Sequence, residues 1–341
     1  MFFKGLKRNE YLAFSIKLIR LLAIVFLCDL LIGSTLKHFY FNQKYGRQYR
    51  AYYTIEKTNA DILIFGSSRA FNHYRPDIFE SRLKQTCYNS GSPGQFLLYD
   101  YATLKAVLKR YSPRLIILDL MPESLAVETV TDNTYERLSF LLPYYKDHEE
   151  MRPIIDLKGQ YEKLKLVSSI YPFNSSLLYT TAGYLELEKF KQLNATDRGY
   201  QPSYAVWEKP SKIIKPDPET SSLDSVKVNV YKQFIDECRN AGTELLIVCS
   251  PRLYIYKNEE ESLKAEKNIA KEKNVRFLDF TNDAFFVNHP ELFAYDPIHL
   301  NHEGAGIFCN RVVDSLRLSK LETLVHSGGK RNIDQLQKDL K

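Results

Sequence analysis

Residues 61–70 read DILIFGSSRA. The first five form a short continuous apolar run, the pattern of a strand buried on both faces. A glycine and two serines then close it. A plain turn is content with Gly, Asn or Asp, so two adjacent hydroxyls raise the question of a nucleophile. The structural alternative is a tight strand-to-helix turn with Ser67 or Ser68 as a helix N-cap.

Working outward, the same strand–loop–helix pattern repeats. RPDIFESRL (75–83) places Pro76 well for a first helical turn. TCYN (86–89) reads as a second strand, followed by SGSPG (90–94) and a helix carrying Leu97, Tyr101, Leu104, Val107 and Leu108. RLIILDL (114–120) is the third strand and ELLIVCS (244–250) the fourth, preceded by a helix over about 222–240 with Val226, Val230, Phe234 and Cys238 at four-residue steps. A charged helix (258–274) leads to VRFLDF (275–280), the fifth strand, and a last helix runs from about Glu303 to Leu316. Strands alternating with helices predict an α/β fold, a central parallel sheet with helices on both faces. Ligands of such sheets bind beyond the carboxyl ends of the strands. FGSSR, NSGSPG and CSPR all lie at such ends.

Between the third and fourth strands stands an insertion over about 125–222, rich in Tyr and Leu and broken by prolines. It is too long for an ordinary crossover and reads as a helical cap or binding subdomain. The polar stretch 319–341 is expected to be poorly ordered.

The chain has 341 residues, enough to bury a sizeable core, with 24 Tyr, 20 Phe and a formal charge of +6. The basic residues are diffuse, with no dense Lys/Arg block, which argues against nucleic acid as a partner. The five cysteines (Cys28, Cys87, Cys238, Cys249, Cys309) show neither a CxxC pair nor metal-ligand spacing and read as free thiols.

At the N-terminus, LIRLLAIVFLCDLLI (18–32) is apolar but interrupted by Arg20 and Asp29. From Tyr11 to Leu36 it is long enough to cross a bilayer, which takes about 20 residues. A signal peptide is the competing reading. No small-x-small cleavage site follows, and Val25, Phe26 and Leu27 are too large for a lipoprotein signal, which favours an uncleaved anchor. Basic residues precede the span (Lys4, Lys7, Arg8, Lys17, Arg20) and follow it (Lys37, Lys44, Arg47, Arg50), so a cytoplasmic N-terminus is only weakly indicated. Asp29 is costly in a span unless paired, which hints at a partner helix. The aromatic, basic stretch HFYFNQKYGRQYRAYY (38–53) suits the lipid–water boundary. The expected organisation is an anchor (1–36), a juxtamembrane linker (37–58), the α/β domain (59–318) with its insertion, and a charged tail (319–341).

A serine needs a base and something to orient that base. YDPIHLNHEGA (295–305) offers both, because Asp296 and His299 are three positions apart, close enough for the carboxylate to hold one imidazole nitrogen while the other faces outward. A helix N-terminus capped by Asp296, with His299 merely packed, accounts for the same residues. Asp296, His299 and His302 also have a D-x-x-H-x-x-H spacing, but no further His or carboxylate cluster supplies a convincing fourth ligand, so no metal is expected.

Gly66-Ser67-Ser68 after the first strand, Asn89, Gly91 and Gly94 after the second, and Asp296 with His299 near the end together resemble the SGNH (GDSL-like) hydrolase superfamily. The likeness covers about residues 60–120 and 243–318 and implies a three-layer α/β/α sandwich, flavodoxin-like, with the insertion outside it. It places the nucleophile at Ser68, with Ser67 where the family has Asp, the base at His299, its orienter at Asp296, and the oxyanion hole at the Ser68 and Gly94 amides. No cofactor is implied. One block departs from the family: after the third strand the chain reads LDLMPES, without the Gly-x-Asn-Asp whose Asn completes the oxyanion hole. Asn72 and Gln95 are candidate replacements. Arg69 could steer an anionic polymer or pair with an acid; Asn89, Ser250 and Arg252 are further candidates for the cleft. Trp207 and the insertion's tyrosines could stack on sugars or pack in a core.

With its N-terminal anchor, the chain looks most like the membrane-anchored SGNH proteins of bacterial envelope polymer modification. That resemblance implies a serine esterase or O-acyltransferase facing the periplasm or cell exterior from the inner membrane. It would act on an acylated glycan or envelope polymer beside a multi-pass membrane acyltransferase. The competing expectation is a non-catalytic scaffold of the same shape that binds glycan or such a partner.

Overall fold

The computed structural model describes residues 8–127, 134–185, 198–208, 213–215, 222–256 and 258–326. Five parallel strands form the central sheet: β1 (Ile62–Phe65), β2 (Cys87–Asn89), β3 (Leu115–Asp119), β5 (Glu244–Cys249) and β7 (Arg276–Asp279). Their order is β2-β1-β3-β5-β7, which with the sheet's strands counted in sequence is the doubly wound 2-1-3-4-5 arrangement. Two further short strands, β4 (Ile213–Lys215) and β6 (Tyr254–Tyr256), pair beside it.

Side chains alternate across the sheet and build two cores. Leu63, Phe65, Ile116, Leu118, Ile247 and Cys249 face α5 (Leu97–Arg110), α6 (Ser225–Asn240) and α7 (Glu261–Glu272). Ile62, Ile64, Leu115, Ile117, Leu246 and Val248 face α3 (Ser68–His73), α4 (Pro76–Leu83) and α8 (His302–His326). Helices on both faces therefore make three layers. Burial on both faces explains why the strands read as unbroken apolar runs rather than alternating ones. The last helix continues to His326, past the point where a poorly ordered tail was expected; residues 327–341 lie outside the described ones.

α1 (Arg8–Phe41) is one continuous helix of 34 residues. From Leu12 to Ile32 its large apolar side chains are mostly exposed. Arg20 and Asp29 interrupt the run, and no helix among the described residues is long and apolar enough to cross a membrane on hydropathy alone. Asp29 is answered within the chain. Its carboxylate accepts the Ser168 hydroxyl (2.5 Å) and the Ser169 amide (2.6 Å). The stretch read as a juxtamembrane linker is folded. α2 (Gly46–Tyr52) continues into one wider turn (Tyr53–Lys57), and Tyr40 is buried against Tyr144 and Phe173 of the insertion.

The insertion is a string of short helical turns, among them Leu138–Tyr144, Arg152–Ile155, Tyr171–Ser176 and Leu177–Tyr184. Its ends meet where Ala126 and Leu223 form an antiparallel bridge. Leu138, Leu141, Leu142 and Met151 join the core on the α5 side, so the insertion is part of the domain's own packing.

Candidate active site

Gly66 makes the turn out of β1 with φ +138°; a Cβ there would stand 2.6 Å from the Asp119 carbonyl oxygen and 2.9 Å from Ala70. Only glycine suits both the backbone angle and the close approach. Ser67 takes the N-cap position, though without a side-chain capping bond, and its hydroxyl points at the Met121 sulfur. Ser68 opens α3.

Ser68 meets the C-terminal loop. Its Oγ lies 2.8 Å from His299 Nε2, and His299 Nδ1 lies 2.7 Å from Asp296 Oδ2. The other oxygen of Asp296 accepts the backbone amides of Ile298 and His299, both at 2.9 Å. The carboxylate thus caps its turn and holds the imidazole at once; the last helix begins only at His302, so Asp296 caps a turn rather than a helix. Burial pushes the Asp296 carboxyl up, but the bonds from His299 and the Ile298 amide outweigh it and hold the group below its ordinary value. It is ionised at neutral pH and fixes Nδ1–H, which leaves Nε2 free to accept the Ser68 proton. His302, the third member of the metal-like spacing, turns away: its Nδ1 meets the Tyr200 hydroxyl at 3.1 Å.

Behind this row lies a buried polar layer. His73 Nε2 accepts the Leu300 amide (2.9 Å) next to His299, and His73 Nδ1 faces the Ser250 hydroxyl at 3.0 Å. A nitrogen that accepts an amide carries no proton, so His73 is neutral. Burial, followed by the charge of Arg69, drives its pKa well below the usual imidazole range. Arg69 is 1% exposed. It donates to the Ser250 hydroxyl (2.8 Å) and carbonyl (2.9 Å) and stands 3.5 Å from Asp119, which also accepts the Tyr74 hydroxyl at 2.7 Å.

Most of the other candidates belong to this interior rather than to a cleft. Arg69 and Ser250 are spent in the buried layer. Arg252 pairs with Glu260 and packs on Tyr254 and Tyr256. Asn72 gives its amide to the Gln201 carbonyl (2.8 Å), which counts against it as an oxyanion donor. Asn89 donates to the Ala70 and Tyr74 carbonyls (2.7 and 2.9 Å) and accepts the Gly91 amide (2.9 Å), stapling α3 to the loop after β2. Gln95 lines a cavity beside Gly94. After β3 the place of the family's Asn holds Leu120 and Met121, which offer no side-chain donor.

The loop 89–95 shows what the sequence did not reveal. Three guanidiniums grip its carbonyls: Arg50 holds Asn89 (3.3 Å) and Gly91 (3.1 Å), Arg47 holds Pro93, and Arg137 holds Gly94 (2.7 Å). Its amides are bound too, Ser90 to Ile64, Ser92 to Gly66, Gln95 to Ser92 and Gly91 to the Asn89 side chain. Gly94 N–H is the exception, with no acceptor among the described residues. In a trans peptide the carbonyl and the N–H point in opposite directions. Arg47 on the Pro93 carbonyl therefore turns the Gly94 N–H away from Arg47. A fixed, unspent N–H of this kind, together with the first-turn amide of Ser68, is what an oxyanion hole is made of. Arg47 and Arg50 come from the segment read as a linker and Arg137 from the insertion, so neither charge density nor local pattern pointed to them.

No family model and no curated protein matches this sequence. Among solved structures it is similar to a protein assigned to the G-D-S-L lipolytic family from Desulfitobacterium hafniense. The identity is 13% and the TM-score 0.35, over 73% of this chain and 95% of that one. A likeness at that level carries no functional weight; the distances do.

Proposed function

We propose that this protein is a serine-dependent acyl-transfer enzyme, an ester hydrolase or O-acyltransferase of SGNH type. The observation that carries the reading is the unbroken row Ser68 Oγ, His299 Nε2, His299 Nδ1, Asp296 Oδ2, at 2.8 and 2.7 Å. Ser68 attacks an ester carbonyl while His299 takes its proton, then returns it to the leaving alkoxide. The acyl group rests on Ser68 until water or a sugar hydroxyl, deprotonated in turn by His299, removes it. Asp296 keeps the imidazole in the accepting tautomer and balances its charge. The Ser68 and Gly94 amides receive the oxyanion. With no third donor after β3, the hole is one group short of the family pattern, a difference worth about 10²–10³ in rate where such donors have been removed.

The further proposal is that α1 anchors the enzyme to a bilayer and that the acceptor is an envelope glycan or polymer acylated with a membrane acyltransferase. In support, α1 exposes Leu12, Phe14, Ile19, Leu22, Ile24, Phe26, Leu31 and Ile32, a length of about 30 Å at 1.5 Å per residue. Its one interior carboxylate is hydrogen-bonded by residues 168–170. The substrate class rests on the sequence resemblance alone.

Fluorophosphonate should label the full chain at Ser68, and Ser68→Ala should abolish labelling. Small acetyl esters such as p-nitrophenyl acetate should be turned over with His299→Ala inactive. The absent third-block amide favours the scaffold reading. Failure of His299-dependent turnover on every ester, together with no label at Ser68, would establish it.

A further inference from the structure

Behind the loop that carries Gly94 lies a cavity of about 250 Å³, walled by α2, the insertion and the foot of α1 at Tyr40. Two guanidiniums enter it, Arg47 and Arg137, each half-buried, and no Asp or Glu lines it. Among the described residues neither arginine has a carboxylate within ion-pairing distance. Each spends one nitrogen on a loop carbonyl and lays its plane near a ring, Arg47 over Phe140 (5.6 Å) and Arg137 over Phe96 (5.1 Å). Arg47 Nε is buried with no acceptor. Burial holds Arg47 below the ordinary guanidinium value, with the like charge of Arg137 acting in the same direction. Ser139, Ser175 and Tyr179 add hydroxyls to the wall.

Two like charges sharing a cavity without a counter-charge are unfavourable unless something anionic joins them. Guanidinium forks with neighbouring hydroxyls match the oxygens of phosphate or carboxylate. We propose that the Arg47–Arg137 cavity binds one oxyanion group, a phosphate or a carboxylate, on the face of the 93–94 peptide opposite the Gly94 N–H. This site is separate from the Ser68 row and does not depend on the catalytic reading. Because the same arginines hold the Pro93 and Gly94 carbonyls, an anion bound there tightens the loop that presents the Gly94 amide.

The test is calorimetric titration of the full chain in a neutral detergent with inorganic phosphate and, separately, acetate. It is run on the natural chain and on Ser68→Ala, so that binding is read without turnover. Saturable binding of either anion is expected, weakened about tenfold or more in Arg137→Gln, which keeps a donor for the Gly94 carbonyl but loses the charge. Arg137→Lys, which retains the charge, should bind more tightly than Arg137→Gln. Unfolding midpoints of the variants show whether they are folded. If neither anion binds, or if Arg47→Gln and Arg137→Gln both bind as the natural chain does, the proposal is overturned, whatever the esterase assay gives. Where phosphate binds, competition by a soluble short-chain phosphatidylglycerol identifies the source: a lipid headgroup if the lipid binds more tightly than phosphate, a soluble anion if it binds more weakly.

Discussion

Asp296→Asn isolates the role of the carboxylate because it changes almost nothing else. Asp296 makes two kinds of bond, one oxygen to His299 Nδ1 at 2.7 Å and the other to two backbone amides at 2.9 Å. Asparagine keeps the carbonyl oxygen for the amides, so the turn should lose less than about 1 kcal/mol, as caps of these two types are nearly equivalent. The other atom becomes an N–H₂ that donates to Nδ1. The imidazole must then carry its proton on Nε2, facing Ser68, and can no longer accept one. Loss of the correct tautomer is worth about 10⁴ in acylation rate, which is about 5 kcal/mol of barrier. The assay is stopped-flow release of p-nitrophenolate from the acetate ester at neutral pH, with thermal unfolding measured on the same preparation. Asp296→Ala serves as control, losing the cap as well and melting earlier. A rate within tenfold of the natural chain at an unchanged melting temperature would refute the tautomer argument and remove Asp296 from the mechanism.

Arg69→Gln should destabilise the fold by about 3–5 kcal/mol, because buried Asp119 loses its counter-charge; equilibrium denaturation measures it, and full stability with a raised KM would restore the substrate-steering role instead. Asp100, buried beneath the Gly66 turn, has its pKa raised from 3.8 to about 8 by burial. The folded state keeps a proton that the unfolded chain releases, so this stability is full below about pH 4 and is lost as pH rises from there through 8, by about 6 kcal/mol at most. Asp100→Asn removes that slope, so its melting temperature should overtake that of the natural chain above pH 8 but not at pH 5; parallel pH profiles would count against it. Asp29→Ala removes the bonds that tie residues 168–170 to α1, and amide exchange at Ser169 and Ile170 should speed up about tenfold or more, whereas unchanged protection would mean the contact holds nothing.

The sheet was legible because a parallel strand covered on both faces has nowhere to put a polar residue, and DILIF, RLIILDL and ELLIVCS contain almost none between their ends. The contact between His299 and Asp296 was legible because a short loop brings the two together before any tertiary contact forms. For other residues at the same strand ends two readings stayed open, for a physical reason. A strand end carries both the cleft and the polar layer that supports it, and sequence cannot separate Arg69 or Ser250, which support, from Ser68, which faces out. Arg47, Arg50 and Arg137 escaped notice because a guanidinium bound to backbone carbonyls leaves no complementary residue in the sequence. Their partners are peptide groups, which every residue possesses. The insertion was opaque for a related reason, since turns of three to eight residues carry too few side chains to establish a period.

The missing third donor and the arginine collar bear on the same physical problem. An oxyanion hole stabilises charge in proportion to how little its donors must move when the charge appears. If the proposed hole has two backbone amides in place of three donors, those two gain most from being held rigidly, and the loop around Gly94 is held at nearly every peptide. Part of that hold comes from outside the sheet and its flanking helices, through Arg47 and Arg50 of α2 and Arg137 of the insertion. On the proposed reading, Arg47, Arg50 and Arg137 are therefore positioning residues. Arg50→Met tests this directly, since it keeps a long stem against Phe71 but frees the Asn89 and Gly91 carbonyls. A loosened donor weakens the transition state and leaves ester binding largely alone, so kcat should fall about tenfold or more with KM little changed. A variant that raised KM alone, or that left kcat untouched while the fold stayed intact, would show that the collar serves stability and not the chemistry.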